Sequence, residues 1–134
     1  NLYNWYAVND NRGICPDGWR VPSDLDYLIL TDNLGGGNIA GGKMKESAVD
    51  HWQEYSSEVQ EQTTNESGFT ALPGGYRQFE IGNFDEIGYF GHFWTSSENT
   101  NEKAWNLSLS YENSSVYWDS NNKNSGYSVR CIKE

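Results

Sequence analysis

Basic residues are scarce in this chain of 134: nine lysines and arginines stand against nineteen aspartates and glutamates, a net charge of −10. A nucleic-acid binder carries a basic face that tracks phosphates, so the balance argues against that class and, equally, against anionic membrane surfaces. No apolar run approaches the roughly 20 residues that span a bilayer, so no membrane insertion is expected. Neither an initiator methionine nor a charged n-region with an apolar h-region opens the chain, which reads as a mature or excised piece. Cysteine is limited to Cys15 and Cys131, with no CxxC and no Cys/His cluster of zinc spacing. His51 and His92 lie far apart and belong to no HExxH, and no GxSxG elbow marks a nucleophile. The stretch from Gly37 to Met44 approaches a phosphate-binding loop. It carries methionine where a hydroxyl must reach Mg²⁺, and it follows a helix rather than a strand. No metal, no cofactor and no catalytic constellation are expected.

What the chain has in abundance is aromatic rings: six Trp, nine Tyr and five Phe. That content argues against disorder, and the length suits one domain, residues 1–134. Leu2–Val8 is aromatic and β-branched enough for a strand. After a turn-dense stretch, Ser23 reads as an N-cap, with Asp24 and Asp26 in the first turn and Leu25, Leu28 and Ile29 as the buried stripe. A weaker helical piece runs from Ile39 to Ser47, and Ser56 to Ser67 reads as a surface loop. Phe93–Ser97 reads as a short buried strand. Ala104–Tyr111 and Val116–Asp119 read as a strand pair, and Tyr127–Ile132 alternates as a closing strand. Few helices followed by short strands make an α+β class. The two cysteines either pair across most of the chain or remain two buried thiols. The elements flanking them, which bring the two ends together, favour the bridge and hence an oxidising compartment.

Five blocks, taken in order, carry a resemblance. They are Trp5-Tyr6, Cys15-Pro-Asp-Gly-Trp-Arg-Val-Pro-Ser23, Gly68-Phe-Thr-Ala-Leu-Pro-Gly-Gly-Tyr-Arg77, Phe93-Trp-Thr-Ser-Ser-Glu98 and Ser128-Val-Arg-Cys131. Together they resemble the Fibrobacter succinogenes major paralogous domain over nearly the whole chain. The resemblance implies a C-type-lectin-like fold of small antiparallel sheets with one or two helices, its first and last strands adjacent and Cys15 close to Cys131. It also implies a place in surface or secreted proteins of Bacteroidetes-type bacteria and their phages. Within those blocks Trp5, Trp19, Phe69, Leu72, Trp94 and Val129 are expected to be buried. Arg20, Arg77 and Arg130 are expected to bond carbonyls or carboxylates. The EPN, QPD and WND motifs of calcium-dependent sugar-binding C-type lectins are absent; Trp105-Asn106-Leu107 and Trp118-Asp119-Ser120 only approach the last. Asp85-Glu86 and Glu98 read as solvated loop acids. Formylglycine-generating enzymes share the broad fold but need a close pair of reactive cysteines, a role that conflicts with a structural bridge.

A narrower similarity is to the variable proteins of diversity-generating retroelements. Rewriting at AAY codons leaves Asn, Ser, Tyr, Asp and Thr between framework residues, and residues 99–128 hold seven Asn and seven Ser around Trp105, Leu107 and Leu109. Alternation places Leu107 and Leu109 inward and Asn106, Ser108 and Ser110 on a shared outer face. The binding face is accordingly expected in residues 98–126: Asn99, Asn101, Asn106, Ser108, Ser110, Tyr111, Asn113, Tyr117, Trp118, Asp119, Asn121, Asn122 and Asn124. Tyr111, Tyr117 and Trp118 would anchor one contiguous patch within a small polar rim. The expected function is a surface-displayed binding module of adhesin or receptor-binding type, part of a larger surface or virion protein. It would recognise a protein or glycan on another cell, extracellularly and without catalysis. A non-variable structural domain, or an enzyme of the formylglycine-generating kind, is the alternative.

Overall fold

Asn4, not a strand, governs the start of the chain. Its side-chain oxygen accepts a hydrogen bond from the Ala7 N–H at 3.0 Å and caps a one-turn helix, α1 (Trp5–Val8). This corrects the strand expected over Leu2–Val8: the cap outweighs β propensity, and only Tyr3 is left to bridge antiparallel to Tyr127. The computed structural model describes residues 1–47 and 50–134. Strand β1 (Trp19–Arg20) pairs antiparallel with the final strand, Ile132–Lys133, so the two ends of the domain meet. Beside that pairing Cys15 and Cys131 form a disulfide, with Cα atoms 5.8 Å apart across 116 residues of sequence. The expected closing strand over Tyr127–Ile132 is thus broken into single bridges followed by that two-residue strand. Trp19, expected to be buried, is 45% exposed because its ribbon packs chiefly on its own partner strand. Leu72 is also exposed: the chain alternates there, turning Ala71 and Pro73 inward and Leu72 out.

Helix α2 (Asp24–Asn33) starts as its sequence predicts. Ser23 Oγ accepts from the Asp26 N–H, and the Asp26 carboxylate accepts from the Ser23 N–H at 2.7 Å, a closed capping box. Arg20 donates to the same carboxylate and holds it well below the usual range. The buried stripe differs from the expected one. Leu25, Leu28 and Ile29 face out, and Tyr27 and Thr31 face in, flanked by half-buried Leu30 and Leu34. The helix carries two stripes at helical spacing, and the one holding the tyrosine ring, which packs on Phe69 and Trp118, wins the interior. Helix α3 (Ala40–Met44) is shorter than expected. The polar stretch read as loop contains α4 (Ser57–Gln62), capped by Ser56 Oγ accepting from the Val59 N–H. A Cβ on Gly41 would lie 2.4 Å from the Ser115 carbonyl, and one on Gly42 2.4 Å from that of Gln62. Gly41 and Gly42 of the apparent phosphate loop therefore serve close packing.

After the hairpin of β2 (Tyr76–Arg77) and β3 (Phe84–Asp85) comes the main sheet. It comprises β4 (Phe90–Glu98), β5 (Lys103–Ser110) and β6 (Val116–Asn122), antiparallel in that order, with Ile132–Lys133 closing the chain as β7. One sheet face holds Phe93, Leu107, Leu109 and Val116 against Tyr27, Ala40, Met44 and Trp52. The other holds Trp94 and Ala104 against Trp5 and Tyr127. The two indoles are tied to the backbone: Trp5 donates to the Thr95 carbonyl and Trp94 to that of Tyr3, each at 2.9 Å. Trp5 and Trp94 are buried as expected, while Phe69 and Val129 are half-buried. Helices mixed with small antiparallel sheets make an α+β fold.

Candidate functional site

Burial on both sheet faces redraws the expected binding face. Asn106, Ser108 and Ser110 do share one side of β5, but that side is the second core rather than solvent. Asn106 is fully buried: its Oδ1 accepts from Asn121 Nδ2 at 2.8 Å, and its Nδ2 donates to Ser108 Oγ at 3.0 Å. Ser108 Oγ lies 2.7 Å from His92 Nδ1, and His92 Nε2 lies 3.1 Å from the Glu86 carboxylate. The imidazole stacks between Phe90 and Tyr127. Burial holds its pKa below 6.5, outweighing the opposite pull of Glu86 and Asp119. Neither Ser108 nor His92 lines the three clefts described beside this sheet. The serine oxygen is engaged on two sides, so the set reads as a satisfied polar chain.

The anchors also separate. Ser108 faces Tyr117 and Leu107 faces Trp118, so Tyr117 and Trp118 stand on opposite faces of β6. Trp118 is half-buried against Tyr27, whereas Tyr117 is exposed with its hydroxyl accepting from Asn113 Nδ2 at 2.7 Å. Tyr111 joins neither. It makes edge contacts with Tyr55 and Tyr89, with ring centroids 5.6 and 5.1 Å away. The single contiguous patch expected around these three rings is therefore not formed.

What remains exposed in the segment is a strip along the free edge of the sheet. Asn99 and Asn101 sit on the β4–β5 loop, Tyr117 and Asp119 on β6, and Asn124 on the turn that follows; Asn121 and Asn122 are half-exposed beside them. These side chains brace one another. Asn99 Nδ2 donates to Ser120 Oγ, Asn121 Nδ2 to Asp119, and the Asn124 N–H to Asn122 Oδ1.

Two lysines missing from the expected set position this strip. Lys123 is buried beneath it, its ammonium bonded to Glu98 and to the Asn101 carbonyl and lying 4.7 Å from the Trp5 ring centroid. Lys45 donates to the carbonyls of Ser110 and Asn113 at 2.9 and 2.8 Å, with Trp52 alongside, and so ties down the β5–β6 turn. Burial draws its ammonium down to about 8. A lone lysine inside an asparagine and serine run was the signal available for Lys123; nothing in the sequence around Lys45 marks its partners.

The five sequence blocks that carry the resemblance lie mainly in the disulfide-closed ends and the tryptophan-rich core, and a family model covers them: the Fibrobacter succinogenes major domain matches residues 1–133. The chain belongs to that family. No curated protein and no solved structure matches it. Two of the three arginines in the family blocks bond as expected. Arg20 meets Asp26, and Arg130 donates to the carbonyls of Phe69 and Thr70; Arg77 makes no such bond among the described residues. The disulfide of this Fibrobacter succinogenes major domain fits an oxidising environment. None of its described helices is long and apolar enough to cross a membrane.

Proposed function

We propose that the domain is a ligand-binding module of adhesin or receptor-binding type, displayed extracellularly on a cell or virion surface as part of a larger protein. In this reading its framework is C-type-lectin-like, it works without catalysis or cofactor, and it recognises a protein or glycan on another surface. One observation carries the reading: the exposed side chains of the retroelement-like segment gather on the sheet's free edge, while the segment's buried members and two buried lysines hold that edge in place. Tyrosine offers rigid contact area there and asparagine adaptable hydrogen bonds, the division of labour found in paratopes. Diversification of that segment is part of the proposal. A neighbouring reverse-transcriptase gene with a near-copy of the coding segment is its genomic signature.

The direct test is binding of the labelled domain to glycan and cell-surface protein arrays, with Tyr117→Ala, Asp119→Ala and Asn99→Ala as variants. The reading expects a ligand whose affinity falls in these variants at unchanged melting temperature. Binding indifferent to all three would refute the edge as the site, and the absence of any ligand would favour the structural-domain alternative.

A further inference from the structure

Helix α2 turns outward the stripe that its sequence marks for burial. Leu25, Leu28 and Ile29 are 60, 45 and 53% exposed. With Asp32 they follow the i, i+3, i+4, i+7 spacing of a single helix face. Beside them stand Trp105 and Trp118. Trp105 faces Ser120 and Trp118 faces Leu107, so the two indoles are diagonal neighbours on one side of the β5–β6 pair. Asp24, Leu25, Leu28, Trp105 and Trp118 line an apolar cleft of about 320 Å³. Its floor is anchored, because Trp118 packs edge-on against the buried Tyr27 ring at 6.3 Å. Single exposed leucines are ordinary on a protein surface. Two leucines and an isoleucine on one helix face, continuous with two half-exposed tryptophans, form the kind of patch that marks an interface, and tryptophan is enriched among residues that dominate binding.

Charge selects the occupant. A net charge of −10 sets two copies of this chain against each other. Asp24 stands at the near end of the patch and Asp32 at the far end. Asp32 lies in the last turn of α2, where the helix dipole is already negative, with no basic residue in that turn and no ion-pair partner among the described residues. A cation brought to Asp32 would relieve both. We propose that this face docks a basic segment of another protein. An apolar side chain of the partner enters the Trp105–Trp118 cleft, and a lysine or arginine pairs with Asp32, about 10 Å along the helix from Leu25 at roughly 1.5 Å per residue. The proposal rests on the reading of the domain as a binding module, and it places a contact on α2, outside the edge strip.

The test is selection of a phage-displayed random peptide library on the immobilised domain, followed by titration of the enriched peptides as synthetic compounds. The expected peptides are net basic with an aromatic or aliphatic anchor. Their affinity falls roughly tenfold or more with Leu28→Asp and with Trp105→Ala. Asp32→Asn weakens them and flattens their salt dependence, and neither Leu28→Asp nor Asp32→Asn lowers the melting temperature appreciably, the latter easing the charge at the helix end. Acidic peptides, peptides that bind Leu28→Asp as they bind the parent, or sedimentation showing a dimer of the parent that Leu28→Asp breaks would each overturn it. Peptides lost on Tyr117→Ala or Asp119→Ala but kept by the α2 variants would overturn this inference while leaving the binding module standing. No enrichment at all would count against both.

Discussion

His92 and Ser108 are register partners across the β4–β5 ladder, and their side chains meet with Nδ1 and Oγ 2.7 Å apart. The donors run in one direction through this pair. Asn121 gives to Asn106 and Asn106 to Ser108, which leaves the serine hydrogen for Nδ1 and the Nε2–H of a neutral ring for Glu86. A protonated ring would have a donor facing the serine donor and would break the order. Because burial lowers the folded pKa below 6.5, the unfolded chain binds more protons in the interval between the two values. This contribution to stability is complete above the unfolded value and is lost as pH falls toward the folded one. Melting temperatures taken from about pH 8 to about pH 5 should show a steeper acid-side loss in the parent than in His92→Gln. Equal slopes would remove the imidazole from the account.

Lys45 bonds two carbonyls that no other side chain reaches among the described residues, so Lys45→Met should strand both under the β5–β6 turn. The expected cost is about 1–3 kcal/mol in urea denaturation, from one buried and one half-buried acceptor left without the lysine. Lys43→Met, which breaks a half-exposed pair with Glu66, should cost about 0–1 kcal/mol. Comparable losses in the two variants would contradict the role assigned to Lys45.

The Tyr27 hydroxyl is buried without a hydrogen-bond partner among the described residues, while its ring packs on Phe69 and Trp118. Removing the oxygen keeps the ring and ends the desolvation cost. Tyr27→Phe is therefore expected to raise stability, by about 1 kcal/mol, read as a higher melting temperature. A lower one would reveal a partner for the hydroxyl.

Much of the fold was legible, because local chemistry decided it. Ser23 and Asp26 announced the start of α2, the alternation from Ala104 onward announced β5, and the family blocks brought Cys15 to Cys131. The errors share a physical cause. Alternation tells which side chains share a face but not whether a second layer covers it. Asn106, Ser108 and Ser110 were grouped correctly yet lie under Tyr127 and its neighbours. In the same way α2 carries two plausible stripes, and only the position of Phe69 and Trp118 chooses Tyr27 over Leu28. The partners of Lys45 and Lys123 were invisible for a related reason: the carbonyls these lysines satisfy are distant in sequence and become neighbours only on folding.

Burial sorts the expected binding residues by how freely they can change. Asn106 and Ser108 form one polar chain in the core, so replacing either leaves a buried donor or acceptor unmet at a cost of about 1–3 kcal/mol, a large share of a small domain's stability. Ser110 accepts from the Glu112 N–H at the turn and belongs with them. Asn99, Asn101, Tyr117, Asp119 and Asn124 are exposed, and substitutions there are expected within about ±0.5 kcal/mol. A saturation library over the thirteen candidate positions, selected only for folded display and sequenced before and after, should therefore be depleted at Asn106, Ser108 and Ser110 and nearly flat at the exposed five. A segment rewritten for binding can vary freely only where folding does not object, so the flat positions are those at which ligand choice can be tuned. Uniform tolerance across all thirteen would mean that the buried chain does not constrain this segment.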